Sequence, residues 1–359
     1  MAEAEIIPIE GRNRSGDRGQ GPSARIRCRA TTSSGRPCRN YAVRGSDYCK
    51  IHSNEEVSRS RHPSTGSSDE PTRLSPSQLA QEQADENGDV QGWIRRRLSG
   101  NYPVDDFGYD PELARGLLLQ LAKPLYDNYF RVKTLGIDRI PDTGPALIVA
   151  NHSGTVALDA VMVQYAVATE HPAKRAIRNI GADLVFQLPF VGPMARKTGN
   201  AVACDEDAYE LLQRGELVGV YPEGYKGVGK GWRERYKLQR FGRGGFMEVA
   251  LRNRVPIIPV AVVGAEEAYP MIANAKFLAR ALGFPYFPIT PTFPWLGPLG
   301  LVPLPSKWRI EFGDPIPMDD YPEDAAEDAM LVFDLADRVR DTIQQMLYRG
   351  LNARRGVFF

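Results

Sequence analysis

The stretch Asn151-His152-Ser153-Gly154-Thr155-Val156-Ala157-Leu158-Asp159 sets an imidazole and a carboxylate seven positions apart, directly after the apolar run Ala146-Leu147-Ile148-Val149-Ala150. An imidazole titrates near neutrality, and one oriented by a carboxylate is the usual general base for activating a hydroxyl. The chemistry implied is removal of an alcohol proton by His152, with Asp159 holding the ring. The competing reading makes His152 a strand cap and Asp159 a solvated residue in the first turn of a helix. The apolar run reads as a buried strand, and Ala160 to Val167 reads as a helix with an apolar face. The pair therefore lies on a strand-to-turn-to-helix junction, where α/β folds place their chemistry. A continuous helix would separate the two residues by about 10 Å along its axis, too far for a hydrogen bond. The chain must then bend at Ser153-Gly154-Thr155, which the glycine permits.

A second cluster, Val220-Tyr221-Pro222-Glu223-Gly224-Tyr225-Lys226-Gly227, also closes a strand, so parallel strands would bring it to the same sheet edge. There Glu223, Gly224 and Lys226 would bring charge and backbone to a polar headgroup. Lys226, Lys230, Arg233, Arg235, Lys237, Arg240 and Arg243 make seven cations within eighteen residues, opposed only by Glu234. A run that dense points to a phosphate or an anionic surface. A third block, Val255-Pro256-Ile257-Ile258-Pro259-Val260, is a strand whose prolines would put it at a sheet edge.

Positioning these residues requires a scaffold. Strand-like runs occur at residues 130–137, 145–150, 176–180, 217–221, 255–263 and 308–312, with helical patterns at 159–167, 205–214 and 246–253. Asp110-Pro111-Glu112 opens an earlier helix, and residues 323–347 form a last amphipathic one through Met330, Phe333, Leu335, Val339, Ile343 and Met346. Alternating strands and helices predict an α/β fold with a mostly parallel sheet flanked by helices. Hydrophobic residues at 42% and charged residues at 25% fit an ordinary globular protein. No apolar run reaches the length of a bilayer span, and Met1 to Glu10 does not read as a secretory signal, so the protein is expected in the cytoplasm or peripherally on the inner face of the cell membrane.

The amino-terminal part has a different character. Residues 1–62 hold twelve Lys/Arg against seven Asp/Glu, whereas the remainder is net acidic. Cys28, Cys38, Cys49 and His52 form a Cys-x9-Cys-x10-Cys-x2-His set that suits tetrahedral zinc, and the intervening Gly, Pro and Ser are turn chemistry. A segment with so few apolar residues needs a metal staple to fold. The expected organisation is a disordered tail (1–22), a zinc-binding module (23–53), a disordered linker (54–106) and the main domain (107–359). The module's arginines suit phosphates, but a small basic module is by default a solvated surface, and a nucleic-acid partner is not expected. The module also resembles a small Cys-Cys-Cys-His element attached to many bacterial and phage proteins.

Asn151-His152-Ser153 with a following Asp, then Gly199-Asn200-Ala201-Val202, Pro222-Glu223-Gly224 and Val255-Pro256-Ile257-Ile258-Pro259-Val260, in that order, resemble the four blocks of the glycerolipid (lysophosphatidate-type) acyltransferase family. The likeness spans about residues 126–347. It implies transfer of a fatty acyl group from acyl-CoA or acyl carrier protein to the hydroxyl of a lysophospholipid or related glycerolipid at the membrane surface. It also implies His152 as base, Asp159 as orienting carboxylate, and Glu223, Gly224 and Lys226 at the headgroup. The chain departs from the pattern by six residues between His and Asp where four are usual, by the lack of an arginine in the second block, and by Lys226 where arginine is common. A protein of the same fold that binds acyl lipid without catalysis is the alternative. Gly283 to Pro305 is rich in proline, which forbids a long helix, and its Phe284, Tyr286, Phe287, Phe293, Trp295 and Leu296 are expected to dip into the headgroup layer. The alternative is a loop packed over the core.

Overall fold

The computed structural model describes residues 90–358 apart from Asn101, Pro103, Thr155, Pro189 and Arg243. Cys28, Cys38, Cys49 and His52, with the tail, the module and most of the linker, lie outside the described residues.

Seven strands make the central sheet: β1 (Lys133–Leu135), β2 (Ala146–Ala150), β3 (Ile177–Gly181), β4 (Ala201–Val202), β5 (Leu217–Val220), β6 (Ile257–Val263) and, after a two-stranded ribbon of β7 (Ala273–Asn274) and β8 (Pro288–Ile289), β9 (Arg309–Phe312). The order is β1-β9-β6-β2-β5-β3-β4, and among these described strands β6 pairs with β9 antiparallel while the other neighbours pair parallel. The mostly parallel sheet flanked by helices is the predicted fold class. Strands β2 and β6 are buried at every position, which is why they read as continuous apolar runs rather than alternating ones.

One face is covered by the helix α1 (Leu158–Glu170) against Ile148, Ala150, Val260 and Val262. The other is covered by α2 (Asp205–Gln213), α3 (Gly245–Asn253) and α4 (Ala329–Ala353), packed on Leu147, Val149, Ile257 and Val263. The last helix begins later than its periodicity suggested, because Asp328 caps it by accepting from the Met330 and Leu331 N–H groups, and Met330 stays exposed.

Two expectations are corrected. The proline-bearing third block is not at a sheet edge: β6 lies between β9 and β2. Proline is tolerated because the Pro259 carbonyl accepts from Gly313 N at 2.7 Å, on the β9 side, so its missing N–H falls where that ladder ends, and register with β2 is kept. Within the stretch assigned to a disordered linker, Val90–Ser99 is helical. Ile94 and Leu98 on it are exposed. Arg97 pairs with Asp110, at 2.7 Å for one of its two contacts, and Arg96 reaches Glu112 at 3.2 Å, ties that no local hydrophobic period would reveal.

Candidate active site

The carboxyl ends of β2, β5 and β6 are neighbours, and the loops leaving them build the site. Asn151 continues β2 by side chain: its Oδ1 accepts from Val262 N at 2.7 Å and its Nδ2 donates to Val262 O at 3.1 Å. The amide thereby splices the strand end to β6 just before the chain turns. Gly154 follows with φ 78°, and a Cβ there would meet Ala265 O at 3.0 Å. That turn closes the distance the spacing left open. Asp159, fully buried in the first turn of α1, places Oδ2 2.9 Å from His152 Nδ1 and accepts from Ser153 N at 2.8 Å, while Oδ1 accepts from Ala160 N at 2.9 Å. With three contacts to one carboxylate, the imidazole is oriented by Nδ1, and Nε2 has no partner among the described residues. The Tyr221 ring packs on the imidazole with centroids 4.8 Å apart. Burial, followed by the Asp159 charge, pushes the Tyr221 hydroxyl well above its ordinary pKa.

Glu223 does not face a headgroup. It is buried, its Oε1 accepts from His152 N at 3.0 Å, and its Oε2 accepts from Gln239 N at 2.7 Å and lies 3.3 Å from Lys230 Nζ. Sequence reasoning placed it at the right strand end, but the depth of a side chain is a tertiary property. Lys226 and Gly224 are exposed on the same loop. Lys230, counted above among the surface cations, is instead buried between Glu223 and Glu266, the latter at 3.0 Å. Attraction to both carboxylates raises the Lys230 pKa although burial alone would lower it. Burial pushes Glu266 up to about 7, since one ammonium must serve two carboxylates. No sequence signal pointed to Glu266; only its position just after β6 could have suggested it.

A pH dependence follows from that group. Native Glu266 holds its proton to about 7 against an ordinary 4.5, so between those values the folded state binds more protons than the unfolded one. Its contribution to stability therefore falls as pH rises through this window, by about 3 kcal/mol in total, and is level above it. The Tm of Glu266→Gln relative to the parent should be several degrees more favourable at pH 8 than at pH 4.5. A pH-independent difference would remove the assignment.

The second block lacks a cation of its own, but a buried one stands behind it. Arg178 on β3 donates from Nε to Gly199 O at 3.0 Å, lies 2.7 Å from Asp105 and stacks over Tyr109 at 4.7 Å. These contacts make it a structural strut between β3 and the chain entering the domain. A small cleft beside the His152 turn is lined by Gly154, Gly227, Lys230, Trp232, Arg235 and Glu266. Among the described residues no cluster of His, Cys, Asp and Glu suits a metal ion.

Residues 131–263, which contain His152, Asp159, Glu223 and Lys230 but not Glu266, match the Acyltransferase family. An uncharacterized protein of Mycobacterium tuberculosis strain H37Rv is 51% identical over 294 residues, covering 82% of this chain and 81% of that one. The chain belongs to the acyltransferase family. More distantly, the bovine DGAT1/2-independent enzyme synthesizing storage lipids is 28% identical over 216 residues, 59% of this acyltransferase chain and 58% of its own. The solved structure of the 1-acyl-sn-glycerophosphate acyltransferase PlsC from Thermotoga maritima aligns with TM-score 0.46 at 17% identity, covering 78% of this chain and 96% of that one.

Proposed function

We propose that this acyltransferase moves a fatty acyl group from an acyl thioester, acyl-CoA or acyl carrier protein, to the hydroxyl of a glycerolipid acceptor at a membrane surface. The observation that carries the reading is the 2.9 Å contact between His152 Nδ1 and buried Asp159, with Nε2 left to meet the acceptor. In this reading Nε2 takes the acceptor's proton as its oxygen attacks the thioester carbonyl, Asp159 fixes the tautomer and stabilises the imidazolium, and the C–S bond then breaks as the ring gives that proton to the leaving thiolate. The positive end of the α1 dipole supplies field for the developing oxyanion, with the Leu158 and Ala160 N–H groups themselves bonded to Val156 O and Asp159 Oδ1. The longer His-to-Asp spacing is absorbed by the Gly154 turn, so it gives no reason to prefer a non-catalytic lipid-binding protein. Lys226 and the exposed Arg233 and Arg235 supply positive charge for an anionic acceptor or donor, with Glu223 serving the turn rather than the headgroup. Thiol release from palmitoyl-CoA in the presence of vesicles carrying lysophosphatidate or monoacylglycerol tests the reading. Turnover should disappear in His152→Ala, and a wild-type protein that releases no thiol with any such acceptor would overturn it.

Among the described residues no helix is long and apolar enough to cross a membrane. Surface contact is the reading supported by exposed apolar side chains on the connection between β7 and β8 and on the segment after β8. The helix Lys276–Leu282 exposes Phe277 (82%) and Leu282, and the loop after β8 exposes Trp295 (72%), Leu296 and Leu299 (72%). Tyr286, Phe287 and Phe293 are partly packed: Phe287 stacks on Phe293 at 5.6 Å, and Tyr286 lies against Gly229 near the site. Large apolar groups this exposed need a partner, and Trp and Phe favour the headgroup layer. Co-sedimentation with phosphatidylcholine–phosphatidylglycerol vesicles is expected to fall at least tenfold in Phe277→Ser with Trp295→Ser, since each buried side chain is worth about 1.5–3 kcal/mol. Unchanged sedimentation would favour a loop that only covers the protein.

A further inference from the structure

We propose that Lys230 is a positioning residue for the reaction, holding the His152 turn through Glu223, a role that rests on the acyl-transfer reading above. The chain of contacts is short. Lys230 Nζ lies 3.3 Å from Glu223 Oε2 and 3.0 Å from Glu266 Oε1, and Glu223 Oε1 accepts the backbone N–H of His152 at 3.0 Å. The Lys230 side chain is 4% exposed and that of Glu223 is fully buried, so water does little to screen the two carboxylates from each other.

The ammonium sits against Glu223 Oε2, and both Glu223 oxygens also accept from backbone N–H groups, of His152 and of Gln239, so the carboxylate ties Lys230 to the His152 turn. Without Lys230, Glu223 and Glu266 become a buried like-charged pair, and one of them must take a proton or turn away. Tyr236 N donates to Glu266 Oε1 at 3.0 Å and partly offsets this charge. The neighbouring Glu267 brings no relief, because it is engaged by the Tyr236 hydroxyl and by Arg354 at 2.8 Å. Removing the cation therefore loosens the His152 backbone, which sets where Nε2 meets the acceptor. Lys230 also lines the cleft beside Gly154.

The test pairs a structural readout with a kinetic one in the full chain. Amide hydrogen exchange of the peptide spanning His152 and Ser153 is followed in wild type, Lys230→Met, Lys230→Arg and Lys230→Met with Glu266→Gln, alongside palmitoyl-CoA turnover with lysophosphatidate or monoacylglycerol vesicles. In Lys230→Met the turn is expected to exchange at least tenfold faster and kcat to fall 10- to 100-fold, with KM for thioester and acceptor within about twofold. Arginine should restore most of the protection, and the double variant should recover turnover over Lys230→Met because a single buried carboxylate remains. Lys230→Gln, which keeps a donor without the charge, is read by the same criteria where the Met variant does not fold. Unchanged exchange at the turn in a folded variant, or a double variant no better than Lys230→Met, overturns the role of Lys230. A wild type without turnover whose turn still loosens in the variants overturns the acyl-transfer reading while the hold on the turn stands.

Discussion

Asp159→Asn is expected to lower kcat on the order of 10² to 10⁴-fold while leaving the fold intact. The carboxylate accepts from His152 Nδ1, Ser153 N and Ala160 N within 2.9 Å, so an amide of the same size fits but must present its NH2 group to one of these partners. If that partner is the imidazole, the ring is driven to the tautomer protonated at Nε2, which cannot take a proton from the acceptor. If it is a backbone N–H, the turn loses a bond that shapes it. Both outcomes reduce proton transfer rather than acceptor binding, so KM should change much less than kcat. The check is palmitoyl-CoA turnover at saturating acceptor, together with the thermal midpoint. Undiminished turnover in a folded Asp159→Asn protein would show that another group orients the base.

The second large effect is expected at a residue with no functional group. Gly227 is buried under the site, where a Cβ would lie 2.7 Å from His152 O, 2.7 Å from Glu223 Cβ and 3.0 Å from His152 Cβ. Its φ is not among the positive values, so alanine is acceptable to the local backbone and the conflict is purely one of space. Two of the three atoms belong to His152 and the third to Glu223, which accepts the His152 N–H, so relief of the clash must move the His152 turn. Gly227→Ala should reduce kcat about 10²-fold, as expected for a displacement near 1 Å, with a stability loss of about 1–3 kcal/mol from overpacking. Gly116→Ala, whose added methyl meets nothing within 4 Å, is the matched control and should be close to neutral. Full turnover in Gly227→Ala would mean that the His152 loop tolerates displacement and that the geometry of the turn is not what limits the rate.

Much of this protein was legible before folding, for a reason that can be stated residue by residue. The strands β2, β5 and β6 and the helix α1 declare themselves because burial on a sheet face or a helix stripe imposes a local pattern, and local patterns survive in the sequence. His152, Asp159 and Glu223 drew attention because α/β folds gather polar side chains where such patterns break, at the carboxyl ends of strands. The four blocks in order then named the family. What the sequence left open was everything that depends on which strands become neighbours. Whether Asp159 reaches His152 rested on the Gly154 turn and on Ala265 beyond β6 closing over it. Glu223 looked like a surface acid and Lys230 like one of seven surface cations, until the order β6-β2-β5 buried both against Glu266 and His152. The prolines of β6 argued for an edge, and only the end of the β9 ladder at Phe312 made room for Pro259 inside the sheet. The helix Val90–Ser99 lies in a polar stretch, and its arginines reach Asp110 and Glu112, partners that its own sequence does not name. Hydrophobic periodicity is a property of a short segment and is written in it, whereas the partner of a buried charge is chosen by packing between segments tens of residues apart, and so only the tertiary structure decides it.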